Sequence, residues 1–139
     1  MFAKVRVKKG ALNYFRKQAR ESFPFEILAY LVGRVISVDE VEITDFVYTD
    51  KYHTQTKGEV RWFQEDFDKV KEKFEADGKR ILGDCHSHPS WDAVMSKADY
   101  DGAITESLFI CGICSTYRGK TRIRFWVPTS SLPCKIIYI

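Results

Sequence analysis

Apolar and polar positions change their period along the chain, and each change marks an element. Lys4, Arg6 and Lys8 interleave with Ala3, Val5 and Val7, the period-two signature of a strand. From Leu12 the apolar residues Leu12, Phe15 and Ala19 step at helical spacing, which predicts a helix from about Ala11 to Glu21. Ser22 to Pro24 break that pattern. Phe25 to Ser37 is dense in Ile, Leu, Val and Tyr, and Glu40 to Tyr48 alternates acidic with apolar side chains, so two consecutive strands are expected around a turn near Val38-Asp39. Thr49 to Glu59 is polar, aperiodic and contains Gly58, and reads as a mobile loop. Phe67, Val70 and Phe74 form an amphipathic stripe that stops at Gly78, which predicts a helix from about Glu65 to Asp77. Lys79 to His86 reads as a buried strand, Pro89 to Met95 as a loop and Ser96 to Ser107 as a short helix. Three closing strands follow, Leu108 to Ser115, Thr121 to Val127 and Cys134 to Tyr138. Strands and helices are intermixed, so the class is a mixed α/β sheet with helices packed on it.

Composition narrows what such a fold does. With 139 residues, 45% of them hydrophobic, the chain supplies one sizeable core and not two, and no repeat or linker divides it, so residues 1–139 are expected to form one domain. Twenty-two Lys and Arg against nineteen Asp and Glu leave a net charge of +3 scattered among acids, which speaks against a nucleic-acid partner. The longest apolar run, Ile27 to Gly33, is far short of the roughly 20 residues a membrane helix needs, and Met1 to Gly10 carries charges where a signal peptide is apolar. A soluble, cytoplasmic protein without a membrane partner is expected, and its four cysteines, Cys85, Cys111, Cys114 and Cys134, read as reduced thiols.

The chemistry concentrates in His86-Ser87-His88-Pro89, followed by Ser96 and Asp99. At the end of a strand His86 and His88 leave the same face, with Cα atoms about 6.6 Å apart. Pro89 ends the strand, the next residues turn the chain back, and on the following helix Ser96 and Asp99 are three apart and share a face. Two imidazoles and one carboxylate make a three-ligand zinc site with a fourth position open to water, the arrangement of a catalytic zinc. Plainer readings stand beside this one. Ser96-Lys97-Ala98-Asp99 also fits a capping box, the two histidines also suit satisfied core positions, and Glu26, in an apolar strand, also suits a structural ion pair. His53 reads as a solvated loop side chain. Cys111 and Cys114 are three apart on a strand, face opposite sides and cannot grip one ion, so they read as buried structural thiols; Cys85 points away from His86 by the same alternation. Asp84, Asp92 and Asp101 read as bystander carboxylates, and Trp91 either lines the approach to the site or closes the core.

The spacing His86-x-His88-x7-Ser96-x-x-Asp99, with Pro24-Phe25-Glu26-Ile27-Leu28-Ala29-Tyr30-Leu31-Val32-Gly33 upstream, resembles the JAMM metallopeptidases, also called MPN-plus proteins. The upstream pattern of that family is Pro-x-Glu-x-x-Gly-x-Leu-x-Gly, from which Ala29 is the one departure. The resemblance covers nearly the whole chain. It implies the JAMM/MPN fold, a cytidine-deaminase-like α/β architecture with a mixed, mostly antiparallel sheet flanked by helices. It further implies Zn2+ on His86, His88 and Asp99, Glu26 as general base, and Ser96 as hydrogen-bond donor to the oxyanion. The reaction implied is hydrolysis of a peptide or isopeptide bond after the C-terminal tail of a ubiquitin-like or sulfur-carrier protein. A peptide-cleaving phage or cell-wall peptidase and a non-catalytic MPN scaffold are the alternatives. Tyr117-Arg118-Gly119-Lys120 is a tight connection and only Thr49 to Glu59 offers spare length, which points to a compact prokaryotic or phage-type member. A zinc deaminase is excluded, since His88 stands where that family needs Glu.

Overall fold

A computed structural model describes residues 3–105, 108–119, 121–130 and 132–139. The last two residues of the helix expected to end at Ser107 fall outside them. The described elements follow the order β1 (Lys4–Val7), α1 (Lys9–Ser22), β2 (Leu28–Ser37), β3 (Glu40–Val47), β4 (Thr54–Gln55), β5 (Val60–Arg61), α2 (Gln64–Ala76), β6 (Arg80–His88), α3 (Lys97–Thr105), β7 (Ile110–Ser115), β8 (Arg122–Trp126) and β9 (Lys135–Tyr138). Seven strands form one mixed sheet in the order β8-β7-β6-β2-β3-β1-β9, and β4 and β5 make a separate hairpin. Among the described residues antiparallel pairs outnumber parallel ones, with β2 against β3 and β6, β7 against β8, and β4 against β5 running antiparallel, and β6 with β7 and β1 with β3 and β9 parallel.

Alternation along the central strands separates two faces. Ala29 and Leu31 of β2, Cys85 of β6 and Cys114 of β7 pack with Leu12, Phe15 and Ala19 of α1 in the main core. The α1 stripe forms because these three positions recur at helical spacing, and burying Leu12 and Phe15 fully is worth about 1.5–3 kcal/mol each. On the opposite face Leu28 and Tyr30 pack with Trp62, Phe67 and Val70, which brings in α2, while Cys111 and Ile113 pack with Met95, Ala103 and Trp126, which brings in α3. The His-bearing end of β6 lies between these two smaller clusters. α2 ends as its sequence requires: Gly78 takes a φ of +73°, Gly78 N–H donates to Glu75 O at 3.1 Å and Lys79 N–H to Phe74 O at 2.9 Å, which satisfies the last carbonyls of the helix.

Two expectations change. The strand expected to end at His86 runs on to His88, so both imidazoles sit on regular strand. The stretch expected to be a mobile loop contains β4, which pairs with β5 just beyond it, and it is tied to the segment of the upstream carboxylate: Glu26 N–H donates to Thr56 O at 2.9 Å, and Gln55 Nε2 donates to Glu26 O at 3.0 Å. Strands of two residues are too short for a period to register, which is why the hairpin reads as aperiodic. No helix among the described residues is long and apolar enough to cross a membrane.

Candidate metal centre

Strand β6 places Asp84, His86 and His88 on one face, and the β2–β6 ladder pairs Leu28 with His86 and Tyr30 with Asp84. Continuing that register two residues beyond β2 sets Glu26 opposite His88. Glu26, His86 and His88 are all buried, and each offers a ligand atom within 4.8 Å of the others. Ser87, between the histidines, faces the other way and joins the two segments: its hydroxyl accepts Ile27 N–H at 2.9 Å, and its own N–H donates to Ile27 O at 3.0 Å.

The second half of the motif arrives through a pinned loop. Three successive carbonyls are taken: Ser115 Oγ donates to Trp91 O at 2.6 Å, His88 Nδ1 to Asp92 O at 3.0 Å, and Trp126 Nε1 to Ala93 O at 3.1 Å. Helix α3 then opens with the capping box: Asp99 N–H donates to Ser96 Oγ at 3.1 Å and Ser96 N–H donates to Asp99 Oδ2 at 2.8 Å. The cap and the site coincide in one carboxylate. Asp99 Oδ1 lies 3.1 Å from His86 Nε2 and Oδ2 lies 3.2 Å from His88 Nε2, while the two Nε2 atoms are 3.0 Å apart.

The hydrogen bonds of the other ring nitrogens fix what these atoms offer. A backbone carbonyl only accepts, so His88 Nδ1 carries its proton toward Asp92 O. His86 Nδ1 faces the Asp84 carboxylate at 3.2 Å and donates likewise. Both Nε2 atoms are then left with lone pairs aimed at each other and at the oxygens of Asp99. Three lone-pair groups within about 3 Å of one another require a cation or a proton between them. Ligands about 2.0–2.1 Å from a tetrahedral zinc stand about 3.3 Å apart, close to the three separations observed, and the outer partners of both imidazoles are those that metal-bound histidines use. The residues therefore fit zinc.

The same contacts govern protonation. Burial opposes charge on His86, but the surrounding carboxylates of Asp84 and Asp99 outweigh it and hold its pKa well above the usual histidine value. Burial likewise works against ionising Asp99, but the two imidazoles and Ser96 N–H outweigh it and keep the carboxyl far below the ordinary range. Glu26 is pushed up by burial, only partly offset by His86 and His88. All four cysteines are free. Burial, reinforced by Asp84, pushes Cys111 up to about 12, and burial sends Cys114 to about 12 and Cys134 to about 11.

Glu26, His86, Asp99 and Asp84 open onto a cleft of about 720 Å³ with Tyr30, Trp62 and Phe67 on one side and Ala98, Gly102 and Ala103 of α3 on the other. Ser96 does not line it; its hydroxyl oxygen is engaged by Asp99 N–H and its proton remains to donate. Trp91 is 60% exposed and does not line the cleft either. His53 is exposed beside Phe63, and Cys111 and Cys114 fall on opposite faces of the sheet. Asp101 is exposed. Sequence reasoning passed over Asp84 as a bystander, whereas it holds the His86 ring; its place two residues before His86 on the same strand was the available signal. Ser87, and Asp92 through its carbonyl, were missed because one works through its back face and the other through its backbone.

A mixed sheet thus brings two strand histidines and a helix-capping aspartate together at the end of β6. Residues 8–128 match the family of prokaryotic homologs of the JAB domain, and the chain belongs to that family. The fold is similar to the solution structure of protein DSY2949 from Desulfitobacterium hafniense (TM-score 0.76, 20% identity, 97% of this chain and 92% of that one). It is also similar to the crystal structure of AF2198, a JAB1/MPN domain protein from Archaeoglobus fulgidus (TM-score 0.59, 17% identity, 98% of each chain). A solution structure of a protein from Salinibacter ruber aligns with a TM-score of 0.65 at 16% identity over 96% of this chain and 91% of that one. No curated protein matches the sequence.

Proposed function

We propose that the chain is a zinc-dependent hydrolase of a peptide or isopeptide bond, acting after the C-terminal tail of a ubiquitin-like or sulfur-carrier protein. The observation that carries this reading is the convergence of three lone-pair groups, His86 Nε2, His88 Nε2 and Asp99, at 3.0 to 3.2 Å with buried Glu26 beside them. Zinc held by His86, His88 and Asp99 would supply Lewis acidity and lower the pKa of water toward about 7. Glu26, made more basic by burial, takes the proton of the attacking water and returns it to the leaving nitrogen. Ser96, its oxygen held by Asp99 N–H, donates its hydroxyl proton to the developing oxyanion. Asp84 keeps the His86 ring in the tautomer that leaves Nε2 free. The small residues of α3 facing Tyr30 and Trp62 suit a slender extended tail rather than a bulky side chain.

The test uses wild type and Glu26→Gln with a panel of ubiquitin-fold proteins extended past a terminal Gly-Gly, the products weighed by mass spectrometry. Cleavage by wild type alone, with both proteins retaining near-stoichiometric zinc, is expected. Equal cleavage by Glu26→Gln sinks the general-base role, and a wild type that binds no zinc points to a non-catalytic scaffold.

A further inference from the structure

We propose that a second metal site adjoins the first, in which Cys111 Sγ, Asp84 Oδ1 and His86 Nδ1 hold a borderline-soft divalent ion, so that one imidazole bridges two ions. The parallel ladder of β6 and β7 pairs Asp84 with Cys111, and His86 follows two residues on along the same face. Cys111 Sγ stands 3.5 Å from Asp84 Oδ1 and 4.0 Å from His86 Nδ1, and Asp84 Oδ1 is 3.2 Å from His86 Nδ1. Around a tetrahedral ion with bonds of about 2.3 Å to sulfur and about 2.0 Å to nitrogen or oxygen, the sulfur lies about 3.5 Å from the other ligands and those lie about 3.3 Å from each other. Two of the three separations already match, and the third closes with a small turn of the thiol.

All three side chains line the cleft, which gives an ion entry and leaves its fourth position toward the open space. A thiolate with an imidazole selects zinc, cobalt or cadmium over magnesium and calcium. Binding is balanced by two protons, one from the thiol and one from His86 Nδ1, and Asp84 passes from hydrogen-bond acceptor to ligand. Cys85, Cys114 and Cys134 belong to the core on the other face of the sheet, so a metal–sulfur signal from this cleft belongs to Cys111. Where the chain hydrolyses its substrate as proposed above, the second ion stands in the substrate cleft and excess metal inhibits; this consequence rests on that proposal, whereas the site does not.

Titrating the metal-free chain with Co2+ reads the site through the thiolate-to-cobalt charge-transfer band, which the sulfur-free first site cannot give. Wild type is expected to take two ions and show the band, His88→Ala to keep it, and Cys111→Ser to lose it while still binding one ion. Asp84→Asn should weaken the band-forming ion by at least about tenfold. No band in wild type at excess cobalt, or a band that persists in Cys111→Ser, overturns the site. Should Cys111→Ser fail to fold, unchanged affinity in Asp84→Asn overturns it instead. A chain that shows the band without hydrolysing refutes the proposed function alone, and one that hydrolyses without the band refutes the second site alone.

Discussion

Replacing Ser87 with Ala tests whether the residue between the two histidines couples the metal strand to the Glu26 segment. Ser87 and Ile27 are both buried, and the Ser87 hydroxyl accepts Ile27 N–H at 2.9 Å. Truncation leaves that N–H without a partner and without water, a loss of about 1–3 kcal/mol. Unfolding entropy near 60 °C is about 2.1 cal/mol/K per residue, so 139 residues give about 0.3 kcal/mol/K, and Tm should fall by about 3–10 °C. The loss is expected to be selective. His86 and His88 face away from Ser87 and keep their partners, so zinc content should not change, whereas Glu26 loses one of the ties that fix its backbone and turnover should drop. Calorimetry with metal analysis on the same samples reads both effects. A Tm within about 1 °C of wild type, or a variant that sheds its zinc, refutes the coupling.

Other perturbations probe different parts of the same frame. Free zinc at about 100 times its Kd should stabilise the chain by about 2.7 kcal/mol, or about 9 °C on the entropy above, and His88→Ala should abolish the gain in a thermal melt run in zinc buffer. In the metal-free chain the raised pKa of His86 contributes stability that is fully present below about pH 6.5 and is lost as pH rises through the native value. The depressed pKa of Asp99 contributes stability present above about 3.8 and lost as pH falls through its native value. The Tm gap between zinc-loaded and metal-free protein should therefore widen from about pH 6.5 upward, and a gap that narrows there counts against the His86 and Asp99 pairing. Gly83→Ala should cost about 3 kcal/mol or more by chemical denaturation, because a Cβ there meets the Ile110 carbonyl on the adjoining strand, and a near-neutral result would show that β6 and β7 separate freely.

The long elements were legible because each carries enough residues to express a period. The stripe Leu12, Phe15 and Ala19 is fully buried as helical spacing requires, and the alternation that separated Cys111 from Cys114 holds in the sheet. The candidate ligands were legible because strand spacing and the helix cap impose geometry on His86, His88 and Asp99 that residue identity alone does not. What escaped was carried by groups without a sequence signature. The carbonyls of residues 91–93 anchor the loop between the histidines and the helix, yet any residue supplies a carbonyl. The hairpin beside Glu26 has strands of two residues. Asp84 looked like one carboxylate among several because its role depends on which ring nitrogen faces it.

The capping box and the ligand reading of Ser96 and Asp99 are not rivals. An N-cap interaction is worth about 1 kcal/mol and forms whenever the first turn of α3 forms, so helix formation by itself brings the Asp99 carboxylate to a fixed place over the strand end. The carboxylate spends one edge on Ser96 N–H and retains both oxygens at about 3 Å from the imidazoles. Local helix chemistry thus lowers the entropy of assembling a candidate site whose three proposed ligands come from a strand and a helix 11 residues apart in sequence, from His88 to Asp99. Without the cap, Asp99 would have to be ordered by the ion alone, and metal affinity would carry that cost. The cap therefore holds Asp99 beside both imidazoles by contacts of the chain alone, and a metal ion bound there would not have to order it.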